Sequence, residues 1–220
     1  SRRRHTRLGR WSRGLGDVYK RQGAGSVAVA EARQPYTGFF AVAESDLRFL
    51  RFDGGLSRQV KRAAFLMGDA VTVLPYDPVR DHVMLIEQFR FGPYMRGDPR
   101  PWSLEPVAGR IDPGEGPEAA ARRETQEEAG LLLGKLHHVA SYYPSPGAVT
   151  EYLWSYVGLA DLPEEAAGLG GVASEEEDIL AHILPFARLM ELIGTGEAAN
   201  APLILTAYWL AMNRARLGGA

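Results

Sequence analysis

The chain has 220 residues, 45% of them hydrophobic and 24% charged, which suits one globular domain with a small appendage. It contains no cysteine, which excludes disulfides, thiolate zinc sites and cysteine nucleophiles. No apolar run reaches the ~20 residues needed to span a bilayer, and the basic N-terminus has no apolar stretch behind it to make a signal peptide, so a cytoplasmic protein without membrane contact is the expectation.

Residues 1–22 contribute +7 through seven arginines, one lysine and one aspartate, leaving −9 on residues 23–220. A basic arm of this kind can touch nucleic acid. However, Asp17-Val18-Tyr19-Lys20-Arg21-Gln22 matches an in-frame translation of a transposon-end adapter used in DNA library preparation. Residues 1–22 are therefore read as a sequencing scar, with a disordered basic tail as the alternative, and no nucleic-acid partner is expected.

Residues 23–66 read as a small antiparallel β unit. A first strand is expected near residues 23–32, then short apolar runs from Tyr36 to Phe52, with Asp53-Gly54-Gly55 as a turn. Residues 67–220 form the main domain. Residues 71–74 predict a strand closed by Pro75-Tyr76-Asp77-Pro78, and residues 82–91 a second strand after a hairpin turn. Residues 117–129 predict a helix, with Pro117 at its first position and Gly130 as its stop. Strands are expected over 136–142, 152–159 and 179–184, a mobile Gly/Ala/Glu-rich loop over 160–178, and helices over 186–193 and 201–216. In the last helix Leu203, Ile204, Ala207, Leu210 and Ala211 give the apolar stripe. Irregular alternation of strand and helix favours a mixed sheet between helices.

The chemistry is concentrated in residues 109–131. Glu124, Glu127 and Glu128 stand at i, i+3 and i+4, so their carboxylates share one helix face. Like charges at this spacing repel by a few tenths of a kcal/mol per pair, and Arg123 can reach at most two of them. A solvated acidic face is the plain reading of such a run. A bound cation is the other, and oxygen-only ligands suit magnesium or manganese rather than zinc. The Gly-rich loop over residues 109–116, which can bring backbone close to a ligand, weighs toward the second. His137 and His138 are adjacent on a strand, face opposite ways and receive no role.

Gly109, Glu115 and the run Arg123-Glu124-Thr125-Gln126-Glu127-Glu128-Ala129-Gly130-Leu131 resemble the Nudix box at every charged and glycine position. Thr125 departs from it, standing where the family has a larger aliphatic residue. It should face the core with its hydroxyl bonded to a helix carbonyl. Leu85-Ile86-Glu87-Gln88-Phe89-Arg90, Leu104-Glu105-Pro106-Val107-Ala108-Gly109 and Pro146, fifteen residues after Leu131, resemble the ADP-ribose diphosphatase branch of that family.

The resemblance implies an α/β/α Nudix sandwich with a mixed sheet, and magnesium-dependent hydrolysis of ADP-ribose to AMP and ribose 5-phosphate. The alternatives are another nucleoside-diphosphate-sugar such as GDP-mannose, a dinucleotide, or a non-catalytic ADP-ribose sensor. It implies metal binding by Glu124, Glu127, Glu128 and the carbonyl of Ala108. Gly109, Glu115, Arg123 and Gly130 would hold the box together. Arg90 would grip phosphate, and Glu151 would lie near the ribose and phosphates. Glu87 would either join the site or pair with Arg90. Phe39 and Arg62 resemble residues that hold adenine across a homodimer. Ser174-Glu175-Glu176-Glu177-Asp178-Ile179 resembles the catalytic loop, which makes Glu175 the base and Glu177 an auxiliary metal contact. Glu127 is the next candidate for the base.

Because residues 1–22 are read as foreign to the fold, deleting them should leave thermal midpoint, solubility and turnover unchanged. A large drop in any of these on deletion would show the segment to be part of the protein.

Overall fold

The computed structural model describes residues 22–171 and 178–218. The chain divides into two compact units, Ser1–Ala64 and Phe65–Ala220.

In the first unit, a short 3-10 turn over Ala24–Ser26 leads into β1 (Val27–Thr37), which pairs antiparallel with β2 (Ala41–Phe49); β3 (Val60–Leu66) completes the three-stranded sheet. β1 starts later than residue 23 and runs five residues beyond Ala32. It accommodates Pro35 because the β1–β2 register slips between Arg33 and Tyr36, and a proline without an N–H is tolerated where ladder pairing is broken. Arg33 binds Glu44 and Asp46 on β2, and Lys61 on β3 also reaches Glu44. The expected turn forms, with Gly54 at φ +88° and the Gly55 N–H donating to Asp53 Oδ1.

The second unit is a mixed eight-stranded sheet between helices. Its strands are β4 (Ala70–Asp77), β5 (His82–Phe89), β6 (Trp102–Glu105), β7 (Val107–Arg110), β8 (Leu136–Tyr142), β9 (Leu153–Leu159), β10 (Gly168–Gly170) and β11 (Ile179–Pro185). The main path runs β10-β11-β5-β4-β9-β8, with β6 added to β5 and β7 to β4; β4 and β9 are parallel. The helices are α1 (Phe91–Arg96), α2 (Pro117–Ala129), α3 (Phe186–Thr195) and α4 (Ala201–Leu217).

Alternation along the strands sends side chains to two cores. Val71, Val73, Ile86 and Val107 pack with Ala120 and Ala121 of α2 on one face. Leu74, Tyr76, Val83 and Leu85 pack with Phe186, Leu189, Leu203, Ala207 and Leu210 of α3 and α4 on the other. This period of two is what a sheet covered on both faces requires. The α4 stripe holds at Leu203, Ala207 and Leu210, with Ile204 half-buried and Ala211 exposed, and Thr206 joins the buried face, its hydroxyl donating to Pro202 O. Asn200 caps α4 by accepting from the Leu203 N–H at 3.0 Å. His137 and His138 do face opposite ways, toward Trp209 and Tyr156 respectively.

Several boundaries differ from the sequence expectation. β4 continues through Pro75 to Asp77 instead of stopping before it. Tyr76 O accepts from Ala160 N–H on the β9 side, so Pro75 points the other way. There the β7 register ends at Val73 and the β5 register begins at Tyr76, so the missing N–H falls in a gap. The strand after His82 stops at Phe89, because Arg90 opens α1. Within the expected loop over 160–178, a 3-10 turn at Glu164–Ala166 precedes β10, which pairs with β11. Among the described residues no helix is long and apolar enough to cross a membrane.

Candidate active site

The site is built where the sheet forks. β4 and β5 pair only through Tyr76 and Asp77 with Val83 and His82. Beyond that they part, β6 following β5 and β7 following β4, with Pro106 at the crossover. The opening holds a cleft of about 240 Å³ whose walls include Arg90, Glu105, Ala108, Gly109, Arg110 and Glu151.

Helix α2 closes over β7. Gly116 precedes Pro117 at its start, and Gly130 ends it at φ +65°, with Gly130 N–H on Gln126 O and Leu131 N–H on Thr125 O. Thr125 is fully buried and its hydroxyl donates to Ala121 O at 2.7 Å, as expected of a small polar residue in an aliphatic position. The Glu124 side chain reaches the strand, and a Cβ on Gly109 would overlap its carboxylate. One turn on, Glu128 Oε2 accepts from the Ala108 N–H at 3.1 Å.

Arg123 ties these parts together. Nε and Nη2 bind the two oxygens of Glu115 at 3.1 and 3.0 Å, Nη2 also donates to Arg110 O at 2.9 Å, and Nη1 donates to Glu124 at 2.8 Å and Glu127 at 2.9 Å. The guanidinium therefore reaches two of the three helix carboxylates. It holds Glu115 below the usual carboxylate range, against the upward push of burial, and the carboxylates raise Arg123 itself further above neutrality.

As they stand, no three His, Asp or Glu side chains among the described residues converge closely enough to hold a metal ion. Arg123 Nη1 bridges Glu124 and Glu127, and Glu128 reaches toward Ala108. The donor set nonetheless fits a hard divalent cation: three carboxylates on one face of α2, beside a cleft-lining backbone and with no sulfur or imidazole among them. Glu127 is the most open of the three, its side chain 42% exposed.

Arg90 makes a bidentate pair with Glu105, Nε to Oε1 at 2.9 Å and Nη2 to Oε2 at 2.6 Å. This corrects the pairing of Arg90 with Glu87. Glu87 lies on the opposite face of β5 and pairs with His182 Nε2 at 2.7 Å. Glu105 was not singled out from the sequence. Glu151 lies in the cleft wall, where burial lifts its pKa while the charges of Arg110 and Arg90 oppose that rise. Phe39 and Arg62 belong to the first unit; the Phe39 ring is 85% exposed and Arg62 Nη1 donates to Lys61 O. Glu175 and Glu177 lie outside the described residues.

Residues 67–206 match the family model described as NUDIX domain. The chain is 37% identical over 195 residues to the ADP-ribose pyrophosphatase of Escherichia coli strain K12, covering 89% of this chain and 92% of that one. It is 35% identical over 184 residues to the ADP-ribose pyrophosphatase of Haemophilus influenzae, covering 83% and 84%. It is 33% identical over 175 residues to the GDP-mannose pyrophosphatase of Escherichia coli O1:K1, covering 80% and 90%. Among solved structures, an ADP compounds hydrolase shares the fold with a TM-score of 0.63 at 24% identity, covering 86% of this chain and 96% of that one.

Gly109→Ala should push Glu124 off β7 and break its contact with Arg123. Manganese affinity, read by the spin-resonance signal of free Mn²⁺, should fall about tenfold or more, with a small change in thermal midpoint. Unchanged manganese affinity would show that Glu124 takes no part in holding a cation.

Proposed function

We propose that this chain, which belongs to the NUDIX family, hydrolyses the diphosphate of ADP-ribose to AMP and ribose 5-phosphate. Magnesium is its cofactor in this reading, and manganese can replace it. The observation that carries the proposal is the gathering of Glu124 and Glu128 against Gly109 and Ala108, at a cleft that also holds Arg90. The 37% identity to an ADP-ribose pyrophosphatase across nearly the whole chain favours ADP-ribose within that chemistry. The GDP-mannose pyrophosphatase relative keeps that sugar nucleotide as the second reading.

Glu124, Glu127, Glu128 and the Ala108 carbonyl would hold the metal, with Glu177 as an auxiliary contact. When bound, magnesium supplies positive charge against the diphosphate oxygens. Arg90 adds a fixed guanidinium for the same oxygens, suited to planar two-point contact with phosphate. Glu151 faces the sugar and phosphate end of the cleft. Glu175 takes the proton from the attacking water, because the box carboxylates are poor bases while ligated; Glu127 is the next candidate. Phosphoryl chemistry of this kind is mostly positioning and charge neutralisation, which is what these residues provide.

The form we propose is a cytoplasmic homodimer, in which Phe39 and Arg62 receive the adenine of the substrate held by the partner subunit. The exposed Phe39 ring and the Arg62 guanidinium plane suit a flat base. Light scattering at assay concentration should give twice the chain mass; a fully active monomer contradicts this arrangement.

A panel of ADP-ribose, GDP-mannose and dinucleotides with magnesium, resolved by chromatography, should yield AMP fastest from ADP-ribose and nothing after chelation. Binding of ADP-ribose without AMP at any metal concentration would leave a sensor instead. In the same assay Glu175→Gln should lower kcat about 10²–10⁴-fold, the usual contribution of a general base, with KM nearly unchanged. Near-normal turnover in that variant moves the base to Glu127.

A further inference from the structure

Arg90 sits at the end of β5, where a long side chain would ordinarily extend into water. Its backbone N–H donates to Pro101 O at 2.8 Å, so it continues the β5–β6 register in which Gln88 faces Ser103 and Ile86 faces Glu105. Residues 86, 88 and 90 share a face, and that face leads to α2. Glu105 is thus opposite a position four residues back along the strand, ~13 Å at the usual rise. The Arg90 and Glu105 side chains can meet only if the arginine folds back over Gln88 and Ser103 toward the fork. They do meet, with two bonds in one plane. The Glu105 side chain is 6% exposed and the Arg90 side chain 41%, so the carboxylate is the buried, fixed partner. Glu105 is also the last residue of β6, immediately before Pro106, so the backbone that carries it is pinned at the crossover.

We propose that Glu105 is a positioning residue: its buried carboxylate turns Arg90 back from the strand end and fixes the plane of its guanidinium in the cleft beside Gly109. This rests on the reading of Arg90 as the phosphate-gripping residue. A bidentate pair sets both the direction and the rotation of the guanidinium, which a single hydrogen bond does not. A misplacement of about 1 Å in such a group can cost on the order of 10²-fold in rate. A buried carboxylate–guanidinium pair adds little net stability relative to an apolar pair of the same shape. Its value at this position therefore lies in orientation.

The test uses the full chain with two variants and two readouts. Glu105→Gln keeps the shape but sets an amide N–H₂ against a guanidinium N–H. Glu105→Asp keeps the charge but draws the guanidinium back by one methylene, and it carries the same readouts if the first variant does not fold. With ADP-ribose and magnesium, either variant should lower kcat/KM at least about tenfold. The same change made in an Arg90→Lys background should add less than twofold, because Glu105 acts through Arg90. A Glu105 variant within twofold of wild type, or one whose loss multiplies fully with that of Arg90→Lys, overturns the proposal. Independently of turnover, the Arg90 Nε–H resonance, identified by its loss in Arg90→Lys, should exchange slowly in wild type and fast in Glu105→Gln. If wild type hydrolyses no ADP-ribose, the proposed function fails by itself. Titration with inorganic diphosphate then decides: a shift of the Arg90 resonance in wild type that the Glu105 variant loses supports the positioning role, and no shift in wild type overturns it.

Discussion

The parting of β4 and β5 after two residue pairs is the constraint from which the rest of the site follows. Antiparallel neighbours normally keep pairing along their length, since each lost pair exposes backbone donors and acceptors that must find partners elsewhere. Here β6 and β7 supply them: β6 satisfies β5 through Ile86–Phe89, and β7 satisfies β4 through Ala70–Val73. The two four-residue strands are joined by Pro106 alone, so Glu105 and Ala108 are held on opposite sides of one narrow opening. Helix α2 then has a backbone to lie against. Gly109, with no Cβ, allows it to come within contact of Glu124, and the Ala108 N–H receives Glu128. Remove the fork and these contacts have no common place.

Charge is arranged around that opening in an unbalanced way. Glu115, Glu124, Glu127 and Glu128 bring four carboxylates to one region, and Arg123 meets three of them. Arg123, like any guanidinium, is charged at any working pH, and those neighbours only raise its pKa further, so it acts as a fixed local counter-ion and not as a titrating group. The residual negative charge has two outlets, solvent at the exposed Glu127 or a cation from solution. A hard divalent ion is the better outlet because its coordination can replace several weak hydrogen bonds with a few strong oxygen contacts. Taking Glu124 and Glu127 for a metal requires Arg123 Nη1 to release at least one of them, while Nε and Nη2 remain on Glu115. Arg123 can do this without losing its anchor, which explains why one guanidinium is shared between a structural carboxylate and two exchangeable ones.

How much of this was legible in the sequence depends on whether a residue's role is local. Helix α2 was readable because Pro117 and Gly130 bracket it and because the spacing of its glutamates defines a face without reference to any other element. Thr125 was readable for the same reason: its hydroxyl partner is four residues back on its own helix. β6 and β7 were not readable. Each is four residues long, too short for a period, and their pairing depends on the fork. β10 reads as loop in the sequence because three residues rich in glycine carry no strand signal. It forms because β11 offers an edge, and Gly170 fits against the Glu128 carbonyl where a Cβ would collide. Pro75 argued for a strand end, and only the gap between two partner registers makes it harmless. The loop glutamates Glu175 and Glu177 depended on resemblance alone, and they lie outside the described residues.

Glu105 shows where sequence reasoning stops. In the sequence Glu105 enters only within Leu104-Glu105-Pro106-Val107-Ala108-Gly109, a run that resembles one branch of the family, and nothing nearby in the chain pairs with it. Its partner is fifteen residues away, and their meeting requires both the register that sets Glu105 opposite Ile86 and an arginine side chain that turns back from Arg90, whose N–H still bonds Pro101 O. The protein thus uses one device twice, a carboxylate that grips two nitrogens of an arginine and dictates where the remaining nitrogen points. Glu115 aims Arg123 at the helix glutamates, and Glu105 turns Arg90 toward the cleft. The two carboxylates differ in burial, Glu105 being 6% exposed and Glu115 17%. In the proposed metal-bound form Arg123 would give up Glu124 or Glu127 while keeping Glu115. Glu105 is almost wholly enclosed, so loss of its arginine would leave a buried carboxylate uncompensated. Arg90 is thus tied by two bonds to an enclosed carboxylate, whereas Arg123 is shared among three carboxylates. Arg90 therefore offers the cleft a cation oriented by the protein, while the α2 carboxylates that Arg123 shares are left for the proposed metal, an arrangement suited to a diphosphate whose negative charge is met by both.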